Sequence, residues 1–194
     1  MAKKKITKKG RISVVKKRWF GVIAPQVFNS VNIGETPAID VTKLPGRSIK
    51  ANLSLLVKSG RRQNVDVTLK ITEVKGSDCL TEFTGLEMAG PFIKRLVKKA
   101  KTRIDDSFVV VTKDEIKVRL KPMLLVRGNV QRGVLTDLRN KTKKILTAVA
   151  KESTLNELIN KVLRGDVTKG IRGDLKHICQ VSSIEMRAMA IVKK

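Results

Sequence analysis

The side chains that could do chemistry are few, and their spacing suits none of the common reactions. The single histidine, His177, stands two residues before Cys179. A zinc site would need two further ligands at close spacing. The pair reads instead as a histidine on the surface of a short helix and a cysteine acting as a small apolar core residue. Cys79, the other cysteine, is alone in its segment, which suits a reducing cytosol. Two acidic doublets, Asp105-Asp106 and Asp114-Glu115, carry the carboxylates that general acid–base catalysis uses. Neighbouring residues on a helix or strand point apart, and both doublets fall at element ends, where acids form turns and caps. The sequence holds no nucleophile elbow, phosphate-binding P-loop or His-rich metal helix. Neither an enzyme nor a cofactor or metal site is expected.

The abundant chemistry is cationic. Lys and Arg number 42 against 17 Asp and Glu, a formal net charge of +25. A compact chain tolerates such self-repulsion when a polyanion supplies the counter-charge. A membrane surface is the rival partner, but the longest uncharged stretch, Trp19 to Gly34, is too short to span a bilayer and is broken by Pro25, Gln26, Asn29, Ser30 and Asn32. The lysine-rich start has no apolar stretch or cleavage site, so it does not read as a secretory signal. Nucleic acid remains. With one Trp, five Phe and no Tyr, the chain can spare few rings for stacking on bases, so its cations should meet phosphates.

The signs are clustered. Residues 1–34 hold no acid, whereas residues 66–90 hold five, Asp66, Glu73, Asp78, Glu82 and Glu87, against Lys70 and Lys75. Acid-free basic runs follow at 91–104, 116–136 and 138–151. Part of the surface should face a polyanion, and residues 66–90 should face away from it. The candidate phosphate-binding residues are Lys8, Lys9, Arg11, Lys16, Lys17 and Arg18 near the start, and Arg61 and Arg62 in a turn. Lys94, Arg95, Lys98, Lys99, Lys101 and Arg103 are expected on one basic helix. Arg127 and Arg132 lie in a loop with Gly128 and Gly133, whose backbone N–H groups could approach phosphate. Arg139, Lys141, Lys143 and Lys144 are expected on a second helix. Gly170-Ile171-Arg172-Gly173 has the spacing of the KH-domain phosphate clamp, but four residues do not make that module.

These residues need elements to carry them. Residues 1–11 are too charged and too poor in apolar side chains to order themselves; order should begin near Ile12, with Val14 and Val15 joining the core and Trp19 packing. Ile49, Ala51, Leu53 and Leu55 alternate with polar residues, as do Val65, Val67, Leu69 and Ile71 beyond the turn at 59–64, which predicts an antiparallel hairpin. Lys75-Gly76-Ser77-Asp78 turns the chain into a short strand, Cys79 to Thr84. A further hairpin joins 108–111 to 116–121 through Thr112–Glu115. Phe92, Ile93, Leu96, Val97, Ala100 and Ile104 form an apolar stripe at helical spacing, with Pro91 at its first position. Leu135 to Val149 marks a second helix. Thr154 and Glu157 form a capping box for a third that stops at Gly165. A short helix is expected over 174–179 and a last strand over 184–192. The class is α+β: a mostly antiparallel sheet curled towards a barrel, with helices packed around it. A basic arm, 1–15, should precede one domain, 16–194.

Several ordered blocks resemble a known family. Lys16-Lys17-Arg18-Trp19-Phe20, Ala24-Pro25 and Phe28 are similar to the opening of the archaeal–eukaryotic small-subunit ribosomal proteins called S-three-ae or S-one-e. Asn32-Ile33-Gly34-Glu35-Thr36 and Leu44-Pro45-Gly46-Arg47 follow in that family's order. So do Val74 to Thr81, Phe83-Thr84-Gly85, Arg103-Ile104-Asp105-Asp106, Thr112-Lys113-Asp114 and Lys117-Val118-Arg119. The resemblance covers nearly the whole chain. It implies a structural, non-catalytic constituent of the small ribosomal subunit that binds rRNA and sits on the platform. Neighbouring ribosomal proteins there, and messenger RNA near its exit, would be partners, and the location would be cytoplasmic and ribosome-bound. The absence of a long carboxyl extension implies the archaeal type. A DNA-architectural protein would need a dimer seam or minor-groove wedges, and an RNA-modifying enzyme a cofactor loop. Neither pattern is present.

Overall fold

Alternating burial along extended segments builds a nine-stranded sheet. A computed structural model of the chain describes residues 16–57 and 63–192. In chain order the elements are β1 (Arg18–Ile23), β2 (Asn32–Ala38), β3 (Ser48–Asn52), α1 (Leu53–Val57), β4 (Val65–Lys75), β5 (Asp78–Met88), α2 (Gly90–Leu96), β6 (Lys101–Asp105), β7 (Phe108–Val111), β8 (Lys117–Arg127), α3 (Arg132–Glu152), α4 (Leu155–Arg164), α5 (Asp166–Leu175) and β9 (Val181–Ile191). The α+β class holds. The arm at 1–15, with Lys8, Lys9, Arg11, Val14 and Val15, lies outside the described residues, as do Arg61 and Arg62.

The sheet forks and is not closed, so the expected curl towards a barrel is not confirmed. Strand β4 pairs along one edge of β5, from Val65–Met88 to Lys75–Asp78. The other edge of β5 is shared. Its start, Asp78–Leu80, pairs in parallel with β1, and its later part, Gly85–Glu87, pairs with β9. One branch continues to β2. The other continues through β9 to β8, which carries β7 and then β6 along its far edge. Pro122, which has no N–H to donate, sits where β7 ends and β6 begins, at an irregularity in the β8–β9 register. Gly85 permits the β5–β9 contact, because a Cβ there would stand 2.8 Å from the Met189 carbonyl oxygen.

One large core lies where β4, β5, β8 and β9 meet α3, α4 and α5. Val67, Leu69, Leu120, Leu124, Leu138, Leu146, Leu158 and Leu175 are sealed there. At about 25 cal/mol per Å² of apolar surface, each such side chain contributes roughly 1.5–3 kcal/mol. A smaller core of Phe20, Ala38, Leu44, Ile71 and Cys79 closes the β1–β2 branch. Burial pushes the Cys79 thiol pKa up, Asp78 adds to the rise, and Arg47 opposes it.

Several segments differ from expectation. The first strand of the expected hairpin ends at Asn52, where the Asn52 side-chain oxygen accepts from both the Ser54 N–H and its hydroxyl and so starts α1. The β3–β4 pairing itself is as expected. β5 runs to Met88 rather than Thr84. The basic helix stops at Leu96: Val97 is extended, Lys98 to Lys101 turn, and β6 takes Ile104 into the core against β8. The expected helix at 174–179 is instead α5, so the Gly170–Gly173 clamp pattern is helical and forms no loop. Trp19 does not pack; it is 64% exposed. Cys179 is only half-buried.

The capping box at α4 is present in full, with Glu157 N–H donating to the Thr154 hydroxyl and Thr154 N–H to the Glu157 carboxylate. Asp114 adds a third bond there by accepting from the Leu155 N–H at 2.8 Å. That is the capping role expected of the second acidic doublet.

Candidate nucleic-acid interface

The expected phosphate-binding residues fall into separate groups. The first gathers at the end of β8. Lys101 on β6 stands opposite Arg127, and the Gly128 N–H donates to the Ala100 carbonyl while the Thr102 hydroxyl donates to the Gly128 carbonyl. These bonds dock the turn carrying Lys98 and Lys99 onto the end of β8. From the other side α5 delivers Arg172 and Lys176. Together with Arg127, Gln180, Val181 and Ser182 they line a cleft of about 470 Å³ with no acid on its walls. The Arg172 guanidinium donates to the Ser182 carbonyl, which fixes its direction. Arg132 opens α3 just beyond. Cations from β8 and from α5 and its end thus surround one concavity, and that of Arg172 has a fixed direction. Such a site fits an anion with several oxygen acceptors.

Sequence reasoning missed Arg172 and Lys176. Their signal was a helical one: Val167, Ile171 and Leu175 are buried at fourfold spacing after the left-handed Gly165 cap. The G-x-x-G pattern drew attention to a loop instead.

The second group is α3. Leu138, Thr142, Leu146 and Ala150 face the core, leaving Lys143 and Lys144 exposed on the opposite side. The flanking cations are held by the protein. Arg139 lies 3.3 Å from the Asp106 carboxylate, and Lys141 donates at 2.8 Å to the Asp174 carbonyl near the end of α5. Arg103 is likewise paired with Asp105 at 2.6 Å. These three contribute charge while their geometry serves the fold. Lys94 and Arg95 end the short α2, where Arg95 lies over the Phe92 ring, 5.6 Å from its centre.

The third group, Lys16, Lys17 and Arg18, is exposed at the start of β1, on the other branch. Register places it far from the first. The end of β1 pairs with Asp78–Leu80, Glu87 pairs with Ala188, and β9 runs back from there to Val181 beside Val126. At about 3.3 Å per strand residue, the two groups stand on the order of 50 Å apart along the sheet. Between them lies the outward face of β4–β5, where Asp66 opposes Glu87 and Lys70 opposes Glu82. Among the described residues no cluster of His, Cys, Asp or Glu could hold a metal, and no helix is long and apolar enough to cross a membrane.

Comparison with known proteins identifies the family of the chain. The sequence profile of the Ribosomal S3Ae family matches residues 4–194. Small ribosomal subunit protein eS1 of Nanoarchaeum equitans is 31% identical over 163 residues, 84% of this chain and 82% of that protein. The protein of the same name from Methanothrix thermoacetophila is 32% identical over 176 residues, 91% of this chain and 83% of its relative. That of Halorubrum lacusprofundi is 27% identical over 175 residues, covering 90% and 81%. With the profile spanning nearly the whole sequence and these relatives archaeal, the chain belongs to the Ribosomal S3Ae family, whose members are structural proteins of the ribosome and not enzymes.

Proposed function

We propose that this chain is a structural constituent of the small ribosomal subunit that binds rRNA through phosphates and works on the subunit platform. The observation that carries the phosphate reading is the acid-free cleft of Arg127, Arg172 and Lys176 beside Lys98, Lys99 and Lys101. Clustered cations on rigid elements suit folded RNA, whose backbone presents fixed arrays of charge. Lys143 and Lys144 extend this surface along α3. Lys8, Lys9 and Arg11 of the arm, and Arg61 and Arg62, add further contacts. The domain formed by 16–194 carries the fold, and the arm 1–15 serves as an extension onto RNA. Family membership supports the platform seat, with neighbouring ribosomal proteins and the exiting messenger as partners, and a cytoplasmic, ribosome-bound location. The acidic face of β4–β5 turns to solvent or to a neighbouring protein, because its carboxylates would repel phosphate at close range.

Sedimentation tests this directly. A tagged copy expressed in an archaeal host should run with small subunits through high-salt gradients at near-stoichiometric yield. Recovery at the top of the gradient under those conditions would remove the structural role.

A further inference from the structure

Tryptophan is the largest apolar side chain, and proteins seldom leave one uncovered without use. Trp19 is the only one in this chain and is 64% exposed. Its position follows from the alternation of β1. Phe20 and Val22 point into the core, so Trp19 points to the opposite face, across from Pro37 on β2. Lys17, two residues earlier, falls on the same side by that alternation, and Lys16 and Arg18, exposed towards the other side, flank it along the chain. Strand β5 pairs with β1 only from Gly21 to Ile23, so beside Trp19 that edge of β1 has no strand partner among the described residues. The acids of this face, Glu35 and Asp78, flank Gly21, two residues past Trp19 on the side away from the three cations.

We infer that Trp19 is a stacking platform for an unpaired rRNA nucleobase, with Lys16, Lys17 and Arg18 on the flanking phosphates. An exposed ring bordered by cations is the arrangement with which single strands are held: the ring takes a base face and the cations take the backbone. Charge favours RNA over a protein as the occupant. Residues 1–34 carry nine Lys and Arg and no acid, a local charge that draws a polyanion. The placement of the acids sets the polarity, with the strand leaving the ring towards Lys17. The inference rests on the RNA-binding reading but concerns a different patch, at the far end of the sheet from the Arg127 cleft. It also qualifies the expectation that the few aromatic residues leave only phosphate contacts.

The chain has one Trp and no Tyr, so its fluorescence reports on Trp19 alone. The full chain would be titrated with a single-stranded RNA of about eight nucleotides, within the usual site size. An abasic strand of equal length supplies the same phosphates without bases. Binding would be measured independently by calorimetry. The RNA should quench the emission and the abasic strand should bind without quenching. Trp19→Ala should weaken RNA binding about 5- to 150-fold and leave abasic binding unchanged, while Trp19→Phe keeps most of the affinity. If both ligands bind but neither quenches, or Trp19→Ala changes nothing, stacking is refuted, phosphate binding stands, and the ring is left to a protein neighbour. If neither ligand binds, both readings fall.

Discussion

Replacing Arg127 and Lys176 together by Gln removes two cations from the cleft at the end of β8 and leaves the fold intact. Both side chains are exposed, and the ladder that holds Arg127 in β8 uses only its backbone. Arg172 is kept because its guanidinium is tied to the Ser182 carbonyl. Each phosphate contact adds about 0.7–0.9 to the slope of log affinity against log salt. Losing two should therefore flatten the slope by about 1.4–1.8. Over a fourfold rise in salt, the fall in affinity should be about 7- to 12-fold smaller for the variant than for the parent. The assay is filter binding to small-subunit rRNA at several salt concentrations, with thermal melting to confirm that both proteins are equally folded. Parallel slopes for parent and variant, with equal melting temperatures, would show that the cleft holds no phosphate. They would refute the reasoning from shape and charge.

Further outcomes follow from other elements. Lys98→Glu with Lys99→Glu should reduce incorporation into subunits without shifting the melting temperature, since both side chains are exposed in the α2–β6 turn; normal incorporation would place this turn away from RNA. Hydroxyl-radical probes tethered at Glu73 or Glu82 should cleave rRNA poorly in assembled subunits, and strong nearby cleavage would contradict the outward reading of the acidic face. Thr154→Ala should cost about 0.5–2 kcal/mol through loss of the α4 capping bond, read as a melting shift of about 2–4 °C per kcal/mol; an unchanged melting curve would mean that Asp114 caps α4 alone. Cys179 should react with thiol reagents well before Cys79, which is buried and whose pKa lies above the usual 9.0. Because the folded state holds the Cys79 proton more tightly than the unfolded chain does, its stabilising effect is fully present below pH 9.0 and is lost as pH climbs through the raised value. Cys79→Ala should lessen that alkaline loss.

What the sequence makes legible is whatever local periodicity and capping decide. Val65 to Ile71 alternates cleanly because one face of β4 is buried over those seven residues, and Thr154 with Glu157 writes the start of α4 in two residues. The segment 91–104 misleads because its apolar residues fit a helix all the way to Ile104. The free edge of β8, offering unpaired N–H and C=O groups to Lys101–Asp105, decides the matter from outside the window. The same is true of β5, where Gly85 and Leu86 are both buried between neighbours on two sides and alternation disappears. The site suffers in proportion. Cations expected on one basic helix divide between α2, a turn and β6, and the cleft that unites Arg127 with Arg172 and Lys176 joins residues remote in sequence. Trp19 was legible as a residue but not as an exposed one, since a strand's outer face cannot be told from its inner face before its partners are known.

The forked sheet gives the charge pattern a mechanical sense. Its β1 branch presents Lys16–Arg18 and Trp19, its β8 branch presents the cleft, and β5 is the strand common to both. The core seals the β8 branch to α3, α4 and α5, so the cleft cannot shift without breaking that packing. The outward face between the ends carries like charges at short range, because Asp66 and Glu87 are directly opposed. Cross-strand pairs of one sign are destabilising. Here Lys50 and Arg187 line the same depression and offset them. Such an acidic stretch would weaken a protein that lay flat on RNA. It does no harm to one that touches RNA at its two ends, and it discourages phosphate from collapsing onto the middle. On this reading the chain acts as a strut, whose two RNA contacts are kept on the order of 50 Å apart along the sheet by the length of its strands. A strut makes a demand that a simple clamp does not: the two contacts should be energetically additive, because sites that share no partner and lie far apart do not couple. Combining Trp19→Ala with Arg127→Gln should therefore lower affinity for rRNA by the product of the separate effects. A marked departure from that product would mean that both groups grip one RNA segment, and the strut would have to be given up.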